Sequence, residues 1–307
     1  MHIKQTACDV RVEAPAKVNL FLEVLGKRPD GFHELETLMV PVRVFDTLIF
    51  RPRTDDQIHL TCEWAPGLVG SGKSAGGENP YGDLPTDDKN IVMRGAKLLR
   101  QRSGKPLGAD ISVIKRIPSS AGLGGASGDA AATLLAGNAA WNLGLSPNTL
   151  WELASELGSD VPFFLGEGGA VCRGRGEKIE AAPTQQLHVV IVRPPVGLGT
   201  PQVFSRCKPA ETPWSLATIS AGLSAGNPQA IRQGLVNRLE DPAAQITPWI
   251  QTLRQAFEGV GAFAHQMSGS GSSYFGLFYH ARQAKRTANW LRSQRLGLVY
   301  DAATMVL

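Results

Sequence analysis

The stretch from Ile117 to Ala131, IPSSAGLGGASGDAA, constrains this chain more than any other. Ile111 and Val113 before it alternate with polar neighbours as a strand does. The Ala- and Leu-rich run Asp129–Leu143 after it reads as a buried helix. A strand feeding a helix through Gly122, Gly124 and Gly125 gives a backbone that bends sharply and can approach a ligand closely. Successive N–H groups in such a bend form a concavity for anions. A helix starting near Ser127 adds the partial positive charge of its first turn. Ser127 either caps that helix or donates to a phosphate or a magnesium-bound water; a plain strand-to-helix turn capped by Ser127 fits the same letters.

A second glycine pattern competes with it. Gly67–Ser74, GLVGSGKS, matches G-x-x-x-x-G-K-[ST] letter for letter. That motif needs a strand before it and a helix after it, because the helix N-terminus helps to hold the phosphates. Here Gly76, Gly77, Pro80 and Gly82 follow, and such a run does not sustain a helix. The match reads as a product of a Gly- and Ser-rich exposed loop over 65–89.

At 307 residues two domains are the default, with a boundary at residue 188: 1–188 and 189–307. Residues 9–53 alternate as β-structure around a turn at Lys27–Gly31. Asn90 caps a helix that Gly104 stops, and Ser146-Pro147 opens another that Gly158 closes. Leu187–Val192 reads as a central strand. The second half reads as helices over 226–238 and 243–257, a strand, a glycine turn, a strand at Tyr274–Tyr279, a helix over 281–294 and a last strand over 298–306. Mixed elements without strict alternation indicate α+β.

Net charge is +4, with no basic stripe interleaved with aromatics, so a small anionic substrate is expected rather than nucleic acid. No apolar run approaches membrane-spanning length, and no membrane role is expected. The four cysteines are far apart, which fits free thiols in a reducing, cytoplasmic compartment and provides no metal site.

The segment Pro118–Ala131 resembles the P-x-x-x-G-L-G-x-S-x-x-A phosphate motif of the GHMP kinases, and Met267–Ser272 resembles their third, glycine-rich motif. Ala14-Pro15-Ala16-Lys17-Val18-Asn19, the turn Arg28-Pro29-Asp30-Gly31-Phe32-His33 and Leu157–Phe164 are similar to the 4-diphosphocytidyl-2-C-methyl-D-erythritol kinases among them. The resemblance implies a two-domain α+β fold, with a β-rich N-terminal domain like domain 2 of ribosomal protein S5 and a ferredoxin-like C-terminal domain. It implies ATP and Mg2+ as cofactors, and phosphorylation of the 2-hydroxyl of the cytidine diphosphate-linked methylerythritol. On that resemblance Pro118, Ser119, Ser120, Ala121, Gly122, Leu123, Gly124, Gly125, Ala126, Ser127 and Gly128 hold the nucleotide. Asp160 is the expected base and Lys17 its partner. Asn19, Phe32 and His33 take the diphosphocytidyl end, with Thr200 and Phe204 completing that pocket.

The residues allow both that reading and plainer ones. Phosphoryl transfer needs positioning and charge stabilisation more than covalent help. Asp160 stands between Gly158 and Pro162 on a fixed bend, where an Asp also simply caps a turn. Lys17, among small and apolar neighbours, is an edge cation or a positioned charge that favours an alkoxide and keeps a nearby carboxylate ionised. Phe32 stacks on a pyrimidine or packs back on the adjacent strand. Two departures stand out: Ser127-Gly128, with Ala126 before it, where two serines are usual, and Asn237-Arg238-Leu239-Glu240 where N-D-L-E is usual. Rival functions are another GHMP kinase, acting on a mevalonate phosphate or homoserine, and a catalytically dead ligand sensor; retention of both Lys17 and Asp160 argues against the sensor.

Overall fold

The computed structural model describes residues 1–68 and 81–306. Residues 69–74 of the GLVGSGKS match, Lys73 included, lie outside the described residues. In chain order the strands are β1 (His2–Gln5), β2 (Val10–Lys27), β3 (His33–Arg53), β4 (Ile58–Trp64), β5 (Gly108–Lys115), β6 (Ala170–Gly174), β7 (Lys178–Ala181), β8 (His188–Arg193), β9 (Val236–Asn237), β10 (Ala264–Met267), β11 (Tyr274–Phe278) and β12 (Leu298–Ala303). The helices are α1 (Ile91–Ser103), α2 (Gly125–Ala140), α3 (Pro147–Leu157), α4 (Thr200–Phe204), α5 (Ala217–Ala225), α6 (Pro228–Gly234), α7 (Glu240–Ala244), α8 (Trp249–Glu258) and α9 (Ala281–Ser293). No described helix is long and apolar enough to cross a membrane.

One sheet runs β1-β2-β3-β5-β4, with β6 on β3, β7 on β6 and the short β9 parallel to β2. The other is antiparallel, in the order β10-β11-β8-β12. The chain forms two compact units whose segments interleave. One holds Met1–Ala16, Val44–Ser119 and Gly124–Glu167; the other holds Lys17–Arg43, Ser120–Leu123 and Gly168–Leu307.

In the first unit α1, α2 and α3 pack together. Alanines and glycines on α2 permit close approach: a Cβ on Gly137 would lie 2.6 Å from Leu99 Cδ2 and 3.3 Å from the Phe50 ring. Trp141 closes this core edge-on to Phe50 at 4.9 Å, its indole N–H donating to Gly108 O at 3.0 Å. In the second unit Val190, Val192, Leu253, Phe257, Tyr274, Phe278 and Leu291 form a buried cluster about β8 and β11. Each such side chain contributes about 1.5–3 kcal/mol by leaving water.

The local signals hold where a cap or turn is explicit. Asn90 accepts from Val92 N at 2.9 Å, Gly104 adopts φ 66°, and Ser146 accepts from Thr149 N at 3.2 Å. Four expectations need correction. Gly124, at φ 71°, is the N-cap of α2, so Ser127 lies inside the first helical turn and does not cap it. The helix expected over 226–238 ends at Gly234, because Asn237 donates its side-chain amide to Met267 O and Gly269 O and draws the chain into β9. The 243–257 helix is two, α7 and α8, separated at Thr247-Pro248, and α4 and α5 precede them unforeseen. The 65–89 loop is not exposed throughout, since Tyr81 is buried with its ring 5.7 Å from Trp64.

Candidate active site

Lys17 sits on β2 with its side chain buried, and its ammonium donates to Asn19 Oδ1 at 2.7 Å. Asn19 is also buried and passes the network on, donating from Nδ2 to Thr37 Oγ1 at 2.8 Å. Thr37 in turn donates to Phe21 O at 2.6 Å. This fixes the amide orientation and steadies the lysine. Both side chains lie close to the turn Ser268–Ser272: a Cβ on Gly269 would stand 3.2 Å from each of Lys17 Nζ, Asn19 Oδ1 and Gly122 O. Gly269, at φ 56°, lets the turn come this close.

The Ser120–Leu123 stretch of the glycine loop is held by its carbonyls. Ser120 O accepts from Leu198 N, Ala121 O from Ser273 N, Gly122 O from Ser268 Oγ at 2.9 Å and Leu123 O from Lys17 N at 2.9 Å. With four successive carbonyls engaged, the amides are left over. Among the described residues the N–H groups of Ser120 through Ser127 find no acceptor, and neither does the Ser127 hydroxyl. The last three of those amides are the open first turn of α2. Ser119 N instead donates to Tyr81 O at 2.9 Å, and Pro118 is buried. Gly128 explains one departure: a side chain there would put Cβ 3.1 Å from Pro15 O, tighter than ordinary contact.

Asp160 lies in the turn between α3 and the 3-10 helix Pro162–Leu165, half-buried, with Val161 N donating to Gly158 O at 3.2 Å to close the bend. Gly158 is extended (φ 172°), so no left-handed strain enters there. Phe32 projects from the Arg28–His33 turn, which Arg28 N to Phe32 O (2.8 Å) and Phe32 N to Asp30 Oδ1 (3.1 Å) hold shut. Its ring is 52% exposed rather than packed back on the strand, and the Arg175 guanidinium lies 5.0 Å over it. His33 contacts Phe204 with ring centroids 5.1 Å apart. Burial, with Lys27 adding to it, holds the imidazole below its ordinary value, so it is neutral at pH 7. Thr200 shares a 2.9 Å hydrogen bond with Ser270. His33 and Phe204 thus meet, while Asn19 is joined to Lys17 and Thr37.

Sequence reasoning missed several buried polar groups. Glu23, fully buried on β2, takes both guanidinium contacts of Arg238 at 2.7 Å, which accounts for an arginine where N-D-L-E is usual. Burial would raise its carboxyl, but Arg238 and the N–H groups of Trp214 and Val24 outweigh that and hold it below the usual carboxylate range. Asp46, Lys115 and Asp129 form a buried cluster. Burial, with Asp46 adding, pushes Asp129 up to about 7 against the pull of Lys115. A lone charged letter inside an apolar run is the only signal for Glu23 and Lys115; Arg175 and Thr37 carry none.

Comparison with known proteins resolves the family. Residues 90–168 match the GHMP kinases N terminal domain, and 219–294 the GHMP kinases C terminal domain. A 4-diphosphocytidyl-2-C-methyl-D-erythritol kinase of Pelotomaculum thermopropionicum is 40% identical over 278 residues, covering 90% of this chain and 91% of that protein. The chain belongs to the GHMP kinases, in the 4-diphosphocytidyl-2-C-methyl-D-erythritol kinase family. It is an ATP-dependent small-molecule kinase. A Synechococcus relative of the same name is also 40% identical, over 94% of both chains. The crystal structure of a 4-(cytidine 5'-diphospho)-2C-methyl-D-erythritol kinase superposes with TM-score 0.79 at 32% identity, covering 97% of this kinase and all of that chain. Homoserine kinase from Cytophaga hutchinsonii, at 20% identity and TM-score 0.72, shares the fold. The loop of this kinase suits ATP on its own chemistry: a run of unspent amides on glycine-rich backbone at the start of a 16-residue helix is a donor set for polyphosphate.

Proposed function

We propose that this kinase transfers the terminal phosphoryl group of ATP to the 2-hydroxyl of 4-diphosphocytidyl-2-C-methyl-D-erythritol, a step in the non-mevalonate route to isoprenoid precursors. The observation that carries the choice of acceptor is the exposed Phe32 ring beside the His33–Phe204 pair. An apolar ring left in water on a rigid turn is suited to stacking on a pyrimidine, which mevalonate and homoserine lack.

In this reading the Ser120–Ser127 amides, with the α2 N-terminus and Ser127, hold the triphosphate. Lys17, oriented by Asn19, stabilises the acceptor oxygen as its O–H bond breaks, and Asp160 takes the proton. The new oxygen–phosphorus bond forms as the bond from that phosphorus to the β–γ bridging oxygen breaks, and ADP leaves with the electron pair. Phe32, His33 and Phe204 hold the cytidine, and Thr200 the adjoining turn. Magnesium, when bound, supplies neutralising charge on the phosphates. The division of the chain at residue 188 into an N-terminal nucleotide-binding domain and a C-terminal domain is supported by the two family matches lying on either side of it. A cytoplasmic location is supported by four cysteines that stand far apart in the sequence, as thiols kept reduced do.

The test is ADP release with the diphosphocytidyl substrate beside mevalonate, phosphomevalonate and homoserine. Turnover confined to the diphosphocytidyl compound is the expected result. Comparable turnover with either other class would overturn the assignment, and an Asp160→Asn enzyme with near-normal kcat would remove Asp160 from its role.

A further inference from the structure

Behind the glycine loop the first unit holds three buried ionisable side chains that the proposed chemistry does not use. Lys115, the last residue of β5, donates from one ammonium to Asp46 on β3 and to Asp129 in the second turn of α2. The side chains of Lys115, Asp46 and Asp129 are 6%, 0% and 5% exposed, so water does not substitute for any of these bonds. Asp46 does more than neutralise: its Oδ1 accepts from Arg116 N, and from Ile117 N at 2.9 Å. Those are the last two amides before Pro118 starts the loop. Asp129 is rooted at the other end, four residues past Gly125. The two ends touch, since a Cβ on Gly125 would stand 2.8 Å from Ile117 Cγ2 and 3.3 Å from Lys115 Nζ.

A glycine-rich loop carries few side chains that packing can fix, so its shape depends on where its ends are held. Here Asp46 grips the entering backbone and Asp129 the departing helix, and Lys115 joins the two. Burying such ionisable groups costs several kcal/mol per ion before pairing returns it, and apolar residues of similar volume often serve stability as well or better. The arrangement is therefore better explained by geometry than by stability. We infer that Asp46, Lys115 and Asp129 are positioning residues that set the spacing between Ile117 and Gly125, and through it the affinity of the loop for the phosphates of ATP. This rests on the reading that the loop is the ATP site.

The test compares Asp129→Ala, Asp129→Asn and the loop variant Ser127→Ala in steady-state kinetics with ATP and the diphosphocytidyl substrate, together with ADP binding by calorimetry. Asp129→Ala is expected to raise KM for ATP and the Kd for ADP at least tenfold, with kcat and the KM for the acceptor within threefold. Asp129→Asn, whose side-chain oxygen still accepts from Lys115, is expected to restore both to within threefold of wild type. A merely structural role lowers the active fraction, and so the apparent kcat, leaving KM and Kd unmoved; that pattern overturns the inference. So does an Asp129→Asn enzyme as impaired as Asp129→Ala. Should Asp129→Ala prove insoluble, Asp129→Glu, which keeps the charge but lengthens the arm by one methylene, carries the same expectation as Asp129→Ala. If Ser127→Ala raises KM for ATP while the position-129 variants do not, the inference alone fails. If Ser127→Ala and the position-129 variants all leave ADP binding unchanged, the assignment of the loop to ATP fails with it.

Discussion

Replacing Gly122 by alanine should separate the loop's role in catalysis from its role in stability. The new Cβ would lie 2.0 Å from Ser268 O, 3.0 Å from Ser268 C and 3.1 Å from Gly271 N, all backbone atoms. No rotamer change relieves such a contact, so the loop and the Ser268 turn must part by about 1 Å to reach ordinary carbon–oxygen separation. That movement loosens the Ser268 Oγ bond to Gly122 O and the cluster of Lys17 and Asn19 about Gly269. A misplacement of about 1 Å in a positioned site costs roughly 100-fold in rate. The backbone adds its own term, since φ at Gly122 is 72° and a left-handed alanine costs about 1–2 kcal/mol. Gly144→Ala isolates that second term: its φ is 63° with nothing within 4 Å of the new Cβ. Urea unfolding should therefore show a loss of about 1–2 kcal/mol for Gly144→Ala with unchanged kinetics. Gly122→Ala should show a larger loss, and a kcat/KM for ATP reduced about 100-fold. If Gly122→Ala kept kcat/KM within threefold of the Gly144→Ala control, the contact between these two turns would have no part in the reaction.

Four further outcomes follow from other parts of the chain. Phe32→Ala, removing a ring that is half in water, should leave the unfolding midpoint unchanged but raise KM for the diphosphocytidyl substrate about 10- to 100-fold, the worth of one base–aromatic stack; steady-state kinetics beside Phe32→Tyr, which keeps the ring, checks it. Arg238→Ala leaves the Glu23 carboxylate buried on backbone amides alone and should cost about 3–5 kcal/mol in urea unfolding at pH 7. Because the folded-state carboxyl of Glu23 is held below its ordinary 4.5, the stability it contributes is present above that pH and fades as acid carries the solution down through the lower folded value; the gap between wild type and Glu23→Gln should narrow accordingly below pH 4.5. Lys73→Ala should leave ATP turnover within twofold of wild type, and abolition of activity would return the GLVGSGKS stretch to contention as the nucleotide site.

Much of this kinase was legible wherever a side chain announces its own hydrogen bond. Asn90, Ser146-Pro147 and Gly104 each mark a helix end through chemistry confined to a few residues, and the alternation over 9–53 reports two long strands of 18 and 21 residues, although both are buried over much of their length on both faces. The short helices α4 and α5 were not legible, because five to nine residues give too few turns for a 3.6-residue period to emerge. Ser127 was misread as a possible cap because serine is a strong N-cap, whereas Gly124 reaches the turn by a positive φ that no side-chain preference reports. Lys17 and Asn19 were legible as chemistry by resemblance, but their direct bond was not, nor was Thr37 behind them. The contact of His33 with Phe204, 171 positions apart, is of the same kind: it depends on where the chain returns, which local pattern does not encode.

The least legible residues share a physical task. Both glycine turns are backed by buried or half-buried polar side chains rather than by apolar packing alone. Asp46 holds Arg116 N and Ile117 N before the first, while Ser268 Oγ and Asn237 Nδ2 hold Gly122 O, Met267 O and Gly269 O about the second. Hydrophobic packing is non-directional and acts on area, and a glycine has almost none to offer. The only groups such a turn presents are N–H and C=O, and those are positioned by directional bonds that strengthen where water is excluded. A chain that must keep amides free for an anion therefore has to spend side-chain oxygens and nitrogens on the carbonyls and on the flanking amides. The same requirement explains why these positions look unremarkable one at a time: an Asp, an Asn and a Ser inside apolar runs become a site only when the turn they serve is set beside them.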